Sequence, residues 1–196
     1  MKIEEVILQG KFVSLVPLSF EHLDALYKAA SVKSLWLWTA NVVKTKDDLR
    51  HYVETALDEL ERKTSLPFVT IEKSSEKIIG STRFGNLDAK NRKAEIGWTW
   101  INPAWQRSFI NTEAKLLMLT HAFETWKCVR VEFKTDVLNE KSRKAILRLG
   151  AKEEGVLRQH IFTDTGRLRD TVYFSVIDKE WQNVKTNLSA KLRSYE

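Results

Sequence analysis

The side chains able to do chemistry fall in a few short stretches. The first is Pro103-Ala104-Trp105-Gln106-Arg107-Ser108-Phe109-Ile110-Asn111, which reads as the link between a strand and a helix. A helix N-terminus presents unpaired backbone N–H groups and the positive end of the helix dipole, so it suits a phosphate. Arg107 adds a cation beside it. The plainer reading is a helix start with a solvated arginine, since no glycine-rich loop precedes it. The second stretch is Asn139-Glu140-Lys141-Ser142. Asn139 reads as an N-cap with Ser142 three residues on, in the first helical turn. Such a serine could donate a proton or hydrogen-bond a thiol, or else only close the helix end. Carboxylates form the third group. Glu95, two residues from Gly97, could act as a base or bind an amine, or simply pair with Lys93 or Arg83. Glu153 and Glu154, just before Gly155, offer a carboxylate near the end of a strand, with a surface role as the alternative.

Other chemistries lack their parts. His22, His51, His121 and His160 show no metal-ligand spacing, and a single cysteine, Cys128, excludes a disulfide framework and a cysteine-built zinc site. No metal is expected. There is no Gly-x-Ser-x-Gly elbow and no Walker sequence. The net charge of +6 favours an anionic partner, which a small polyanion satisfies as well as nucleic acid does. The basic residues are spread out rather than clustered beside the tryptophans, so no nucleic-acid partner is expected.

The elements that must position these groups follow from periodicity and punctuation. Residues 12–17 read as a strand, 20–30 as a helix, and 45–62 as a helix capped by Thr45 with Leu49, Tyr52, Val53, Ala56, Leu57 and Leu60 on one face. Residues 67–71, 78–84 and 93–101 read as strands. In the last, alternation puts Ile96, Trp98 and Trp100 on one side and Glu95, Gly97 and Thr99 on the other. A helix over 110–126, a strand over 129–135 and a short helix stopped by Gly150 follow. Two strands, 152–162 and 167–178, close the pattern around the turn 163–166. With 196 residues, 30% charged and 43% apolar, the chain reads as a single mixed α/β domain with one open sheet. Its core spans about 10–180, and 181–196 form a peripheral tail or helix. No apolar run is long enough to span a membrane. The acidic N-terminus lacks the apolar core of a signal peptide, so a soluble cytoplasmic protein is expected.

The run Ala94-Glu95-Ile96-Gly97-Trp98-Thr99-Trp100-Ile101, then Pro103-Ala104-Trp105-Gln106 and Asn111-Thr112-Glu113-Ala114-Lys115-Leu116-Leu117, resembles the cofactor-binding core of the GNAT N-acetyltransferases. Within that family it is similar to the branch of the ribosomal-protein N-terminal acetyltransferases. Asn139 to Ala145, Leu149 to Leu157, Gly166 to Tyr173 and the opening Gly10 to Leu18 agree in order and spacing. The resemblance implies a largely antiparallel open sheet of six to seven strands with helices on both faces, and acetyl-CoA as donor. Carried over residue by residue, it places the thioester oxygen near the backbone of Trp100 and Ile101. It places the pyrophosphate on Gln106, Arg107, Ser108, Phe109, Ile110, Asn111 and Thr112, and a further cofactor contact on Asn139. Phe109 stands where the family prefers glycine, and Arg107 where this branch often does. A bulky Phe109 is therefore expected to crowd the groove, although backbone N–H groups survive any substitution but proline.

The resemblance also implies Ser142 as the acid that protonates the leaving thiolate and Glu154 as the base, with Glu95 as the second candidate base. Trp36, Trp38 and Trp98 would line the acceptor side. The activity expected is acetyl transfer to a primary amine, either a protein N-terminus or a small molecule. The alternative is a degenerate acyl-CoA-binding or non-catalytic interaction domain, for which Phe109 and Arg107 are the support. Exposed strand edges leave room for a homodimer.

Overall fold

The computed structural model describes residues 1–195; Glu196, the last residue of the expected C-terminal segment, lies outside them. One sheet of eight strands organises the chain, in the order β1-β2-β3-β4-β5-β6-β8-β7. The strands are β1 (Leu8–Gln9), β2 (Val13–Pro17), β3 (Leu66–Glu72), β4 (Lys77–Asp88), β5 (Lys93–Ile101), β6 (Arg130–Asp136), β7 (Lys152–Phe162) and β8 (Leu168–Ile177). All neighbours are antiparallel except β5 and β6. The count exceeds the six to seven expected because Leu8 and Gln9 pair with Leu15 and Ser14, a two-residue strand too short to leave a period in the sequence.

Helices α1 (Leu23–Ala30) and α2 (Lys46–Glu61) cover one face; α3 (Phe109–Thr120), α4 (Glu140–Leu149) and α5 (Asp178–Arg193) lie on the other. Each starts or stops where local chemistry dictates. Thr45 accepts from the Asp48 N–H at 3.1 Å, and the Asp48 carboxylate accepts from the N–H groups of Lys44 and Thr45 in return, a reciprocal cap. Leu49, Tyr52, Val53 and Ala56 then face the sheet. Gly150 ends α4 at φ +99°, a left-handed position that costs other residues strain. α5 begins earlier than the expected tail and buries Trp181, Val184, Leu188 and Leu192, with the Trp181 ring stacked on Phe123 at 5.2 Å.

One buried carboxylate ties α3 to the rim of the sheet. Glu113 accepts the backbone N–H groups of Lys11, Phe12 and Val13, each at 2.7 Å. Those groups precede or begin β2, beyond the reach of a strand partner for all of them, and an unpaired buried N–H is costly. Gly10 permits the approach: a Cβ there would lie 2.4 Å from the Glu113 carboxyl carbon. We expect Glu113→Gln, which cannot accept all of these bonds, to lower stability by about 2–3 kcal/mol. Urea denaturation measures this. A midpoint unchanged from the parent would show that α3 is held by its apolar face alone.

Candidate active site

The site is built on the way β5 leaves β6. Gly97 of β5 pairs with Arg83 of β4, and Trp100 pairs with Ser81, so three steps along β5 face two along β4. The extra residue is a bulge, and Trp98 takes a left-handed φ of +49° to make it. A bulge bends its strand, sharpens the twist and re-aims side chains. Strict alternation therefore fails. Ile96 faces the α3 core, while Trp98 and Trp100 pack toward α1 and α2, and Thr99 turns toward α3. On its other edge β5 pairs with β6 only from Lys93/Arg130 to Glu95/Glu132, although β5 runs on to Ile101 and β6 to Asp136. Past Glu95 the two strands part. The facing backbone groups have no ladder there, which leaves them for a ligand or solvent.

Two helix N-termini stand at the open end of this gap. After β5, the Gln106 amide donates to the Ile101 carbonyl at 2.8 Å and closes the loop. Ser108 caps α3: its hydroxyl accepts from the Ile110 N–H at 3.3 Å and donates to the Trp105 carbonyl at 2.7 Å. Arg107 is exposed, at φ +59°. Asn111, in the first turn, has a buried Oδ1 with no hydrogen-bond partner, and Thr112 is buried beside it. The Phe109 ring lies 4.2 Å from that of Phe12 and 5.7 Å from that of Tyr195. It is engaged with the start of β2 and the end of α5. After β6, Asn139 accepts from the Ser142 N–H at 3.0 Å and caps α4. The Ser142 side chain is half-buried, and its hydroxyl takes no part in that cap.

The opposite face of the sheet carries a cavity of about 330 Å³ lined by Tyr52, Arg83, Trp98, His51 and Asp164 among others. Arg83 is 2% exposed. Its guanidinium lies 4.8 Å from both the Tyr52 and Trp98 ring centres and pairs with Glu59 at 3.0 Å. Glu95 is also 2% exposed; it accepts from the Asn86 amide at 2.8 Å and pairs with Lys134 at 3.0 Å. The β7–β8 turn reaches across to the loop before α2. The Asp164 N–H donates to the Ala40 carbonyl, and the Asp164 carboxylate accepts from the Val42 N–H, both at 2.9 Å. Arg167 stands over Trp38 at 5.6 Å and pairs with the fully buried Asp136 at the end of β6.

The expected site residues thus separate into groups. Gln106 to Thr112, Asn139 and Ser142 gather at the two helix starts. Glu95 and Trp98 share the cavity side of β5, and Trp38 stands at the turn that crosses it. Trp36 is buried, its ring tilted against that of Trp100 at 5.6 Å and its indole N–H on the Ala30 carbonyl, so it supports the wall from behind. Glu154 stands apart from Ser142. It is bound to Ser175 and Arg130 at the start of β6, where β5 and β6 are still paired. The Ser175 hydroxyl first, and then Arg130, hold its carboxyl below the usual range. Lys134, Asp136 and Lys115 are given no role by sequence reasoning, and Arg83 enters it only with Lys93 as a partner offered to Glu95, which instead pairs with Lys134 while Arg83 pairs with Glu59. Of these only Lys115 left a local signal, a lysine in line with the buried Met118 and Leu119 at helical spacing. Among the described residues no cluster of His, Cys, Asp and Glu is placed to hold a metal, and no helix is long and apolar enough to cross a membrane.

The fold is a mostly antiparallel sheet whose one parallel pair parts between two helix N-termini, with a cavity on the far face. Residues 13–152 match the acetyltransferase (GNAT) domain, and the chain belongs to that family. A crystal structure of a GCN5-related N-acetyltransferase from Brucella melitensis superposes with a TM-score of 0.88 at 32% identity, covering 95% of this chain and 85% of that one. YdaF of Bacillus subtilis, provisionally assigned as a ribosomal N-acetyltransferase, is 39% identical over 108 residues, 55% of this chain and 58% of YdaF. The ribosomal-protein-serine acetyltransferase of Escherichia coli is 24% identical over 90% of this chain and 99% of its own length. The chain spans about three-fifths of the length of the Bacillus relatives it matches.

Because the Phe109 ring is packed rather than standing in the groove, we expect Phe109→Ala to act on stability. Loss of about 1–3 kcal/mol is expected for a half-buried aromatic, with acetyl-CoA affinity within about threefold of the parent. Thermal denaturation and calorimetric titration read the two effects. A variant of unchanged stability that binds at least tenfold more tightly would restore the crowding role.

Proposed function

We propose that this protein transfers the acetyl group of acetyl-CoA to a primary amine, either a protein N-terminus or a small-molecule amine. The parting of β5 and β6 between two helix starts, in a chain of the GNAT family, carries this reading. The residues present fit a CoA thioester. The first turn of α3 offers free N–H groups to a pyrophosphate, with Arg107 exposed beside them. The unpaired edge of β5 past Glu95 can take an extended amide chain as a missing strand would. When bound, acetyl-CoA supplies an activated acyl carbon and a thiolate leaving group.

The chain's own residues then divide the work. Backbone N–H groups of β5 around Trp100 stabilise negative charge on the thioester oxygen. Ser142 holds a hydroxyl hydrogen at the start of α4, where a leaving thiolate can take it. Glu95 is the carboxylate beside the bulge and the cavity, oriented by Asn86 and Lys134, and is the base we carry forward. Glu154 ranks behind it because Ser175 and Arg130 hold it at the start of β6, where β5 and β6 are still paired. The tryptophan and tyrosine walls and the carboxylates of Asp48 and Asp164 at the cavity favour a cationic acceptor. The family relationship to acetyltransferases of ribosomal proteins supports a protein N-terminus as one such acceptor. The non-catalytic alternative loses its main support, since Phe109 is held by Phe12 and Tyr195.

Acetyl-CoA at about 100 times its Kd should stabilise the fold by about 2.7 kcal/mol, visible as a rise in melting temperature. Thiol release is then followed across a panel of amines and N-terminal peptides. Absence of both binding and thiol release would overturn the assignment. On the best acceptor, Ser142→Ala should lower kcat by about 10²-fold and leave acetyl-CoA affinity within about twofold. Turnover within about threefold of the parent would assign the proton to water instead.

A further inference from the structure

The most unusual group outside the chemistry above is Lys115. It lies on α3 facing the sheet, 4% exposed, and has no carboxylate partner among the described ion pairs. Its Nζ lies 2.6 Å from the Thr99 hydroxyl and 3.0 Å from the Thr82 hydroxyl. The two hydroxyls are themselves 2.7 Å apart. Thr82 is fully covered, but Thr99 is exposed, and it stands on the part of β5 that no longer pairs with β6. The three groups thus form a closed polar triangle with one corner at the gap.

Counting donors shows what such a triangle can do. A protonated lysine donates to a lone pair of each hydroxyl and can accept nothing. The other acceptors in reach of the Thr82 hydroxyl, the Gly97 carbonyl at 3.5 Å and the Met118 sulfur at 3.6 Å, are long and weak, so its hydrogen goes to Thr99, and the Thr99 hydrogen is then left without a partner inside the triangle. Within the protein it has only the Gly97 carbonyl, at 3.3 Å, a long contact. A neutral lysine offers a lone pair, and the Thr99 hydrogen can turn inward and close the ring. The proton on Lys115 therefore decides whether Thr99 presents a donor to the gap.

We propose that Lys115 is a positioning residue that turns the Thr99 hydroxyl outward, and that Thr99 is a binding contact donating a hydrogen bond to a carbonyl of the acyl-pantetheine arm in the β5–β6 gap. This inference rests on the assignment of acetyl-CoA as donor. Burial pushes the Lys115 ammonium down to about 7, so the switch falls in the range where the protein can be studied. Burial is the sole cause of that shift, and no charged neighbour among the described residues contributes to it. From β4 it meets Thr82 and from β5 Thr99. On α3 the Glu113 carboxylate is turned to the backbone of residues 11–13, and Arg83 points to the other face, on Glu59.

The test is calorimetric titration of acetyl-CoA into the parent protein and into Thr99→Val, Thr99→Ser and Lys115→Met, at pH 6 and pH 8. Thermal denaturation of each verifies that it is folded. Removing one hydrogen bond to the ligand should raise Kd about tenfold in Thr99→Val at pH 6. Thr99→Ser should restore affinity to within about threefold. Between pH 6 and pH 8 the parent should lose several-fold more affinity than Thr99→Val and Lys115→Met, in which titration of the ligand itself is retained but the switch is gone. Folded Thr99→Val binding within twofold of the parent, or a pH response equal in parent and variants, overturns the proposal. A parent that binds no acetyl-CoA overturns the donor assignment, and this inference with it, so the two failures are told apart by the parent titration alone.

Discussion

The extra residue in β5 sets the terms for everything around it. A strand in the middle of a sheet would normally pair along its whole length on both edges, because each unpaired backbone group buried away from water costs free energy. Here β5 keeps its antiparallel ladder with β4 to Ile101 but gives up its parallel ladder with β6 after Glu95. The left-handed backbone at Trp98 is unfavourable for a bulky residue, and it persists because its neighbours hold it. The Trp98 carbonyl accepts from the Tyr52 hydroxyl at 3.3 Å, and its ring lies against the Arg83 guanidinium. The opening in the sheet is thus maintained from the α2 side.

The same bend separates two polar systems. Toward α2 it leaves Arg83 in the cavity wall and the Glu95–Lys134 pair close by, each charge with an opposite one within hydrogen-bonding distance. Arg83 and Glu95 are the buried members of these pairs, and removing the partner of either would leave its charge uncompensated. Toward α3 it leaves the Lys115–Thr82–Thr99 triangle, which has no balancing carboxylate and so responds to protonation. One strand irregularity therefore produces a fixed charged surface on one side and a titratable one on the other.

The floor of the site is anchored at a distance from its chemistry. Glu113 fixes the start of α3 to the start of β2, and Asp136 joins the end of β6 to Arg167 of the β7–β8 turn. That turn is bonded in turn to the loop before α2. The start of α3 and the end of β6 are held by the buried carboxylates of Glu113 and Asp136, and the loop before α2 by the exposed carboxylate of Asp164, rather than by apolar packing alone. Such bonds are directional, and directional bonds fix a geometry that burial of area leaves loose.

Much of the molecule could be read from residue order alone. The α2 cap at Thr45, the Asn139 cap with Ser142 in the first turn, the Gly150 stop and the alternation of Val129, Val131 and Phe133 against Arg130, Glu132 and Lys134 are local, because capping, left-handed glycine and pleating act over a few residues. The family resemblance was carried by the order of such segments, and it named the helix starts that the structure brings to one gap. What local rules could not give were features decided between distant segments. Alternation misplaced Trp98 because a bulge depends on which residue of β4 stands opposite, and β1 was invisible because two residues have no period. Phe109 looked obstructive until Phe12 and Tyr195, at the two ends of the chain, were found holding it. The partners of Glu95, Glu154 and Lys115 were set in the same way. A side chain's type and spacing fix what it is able to do, while burial and the groups brought against it by the fold decide which of those things it does.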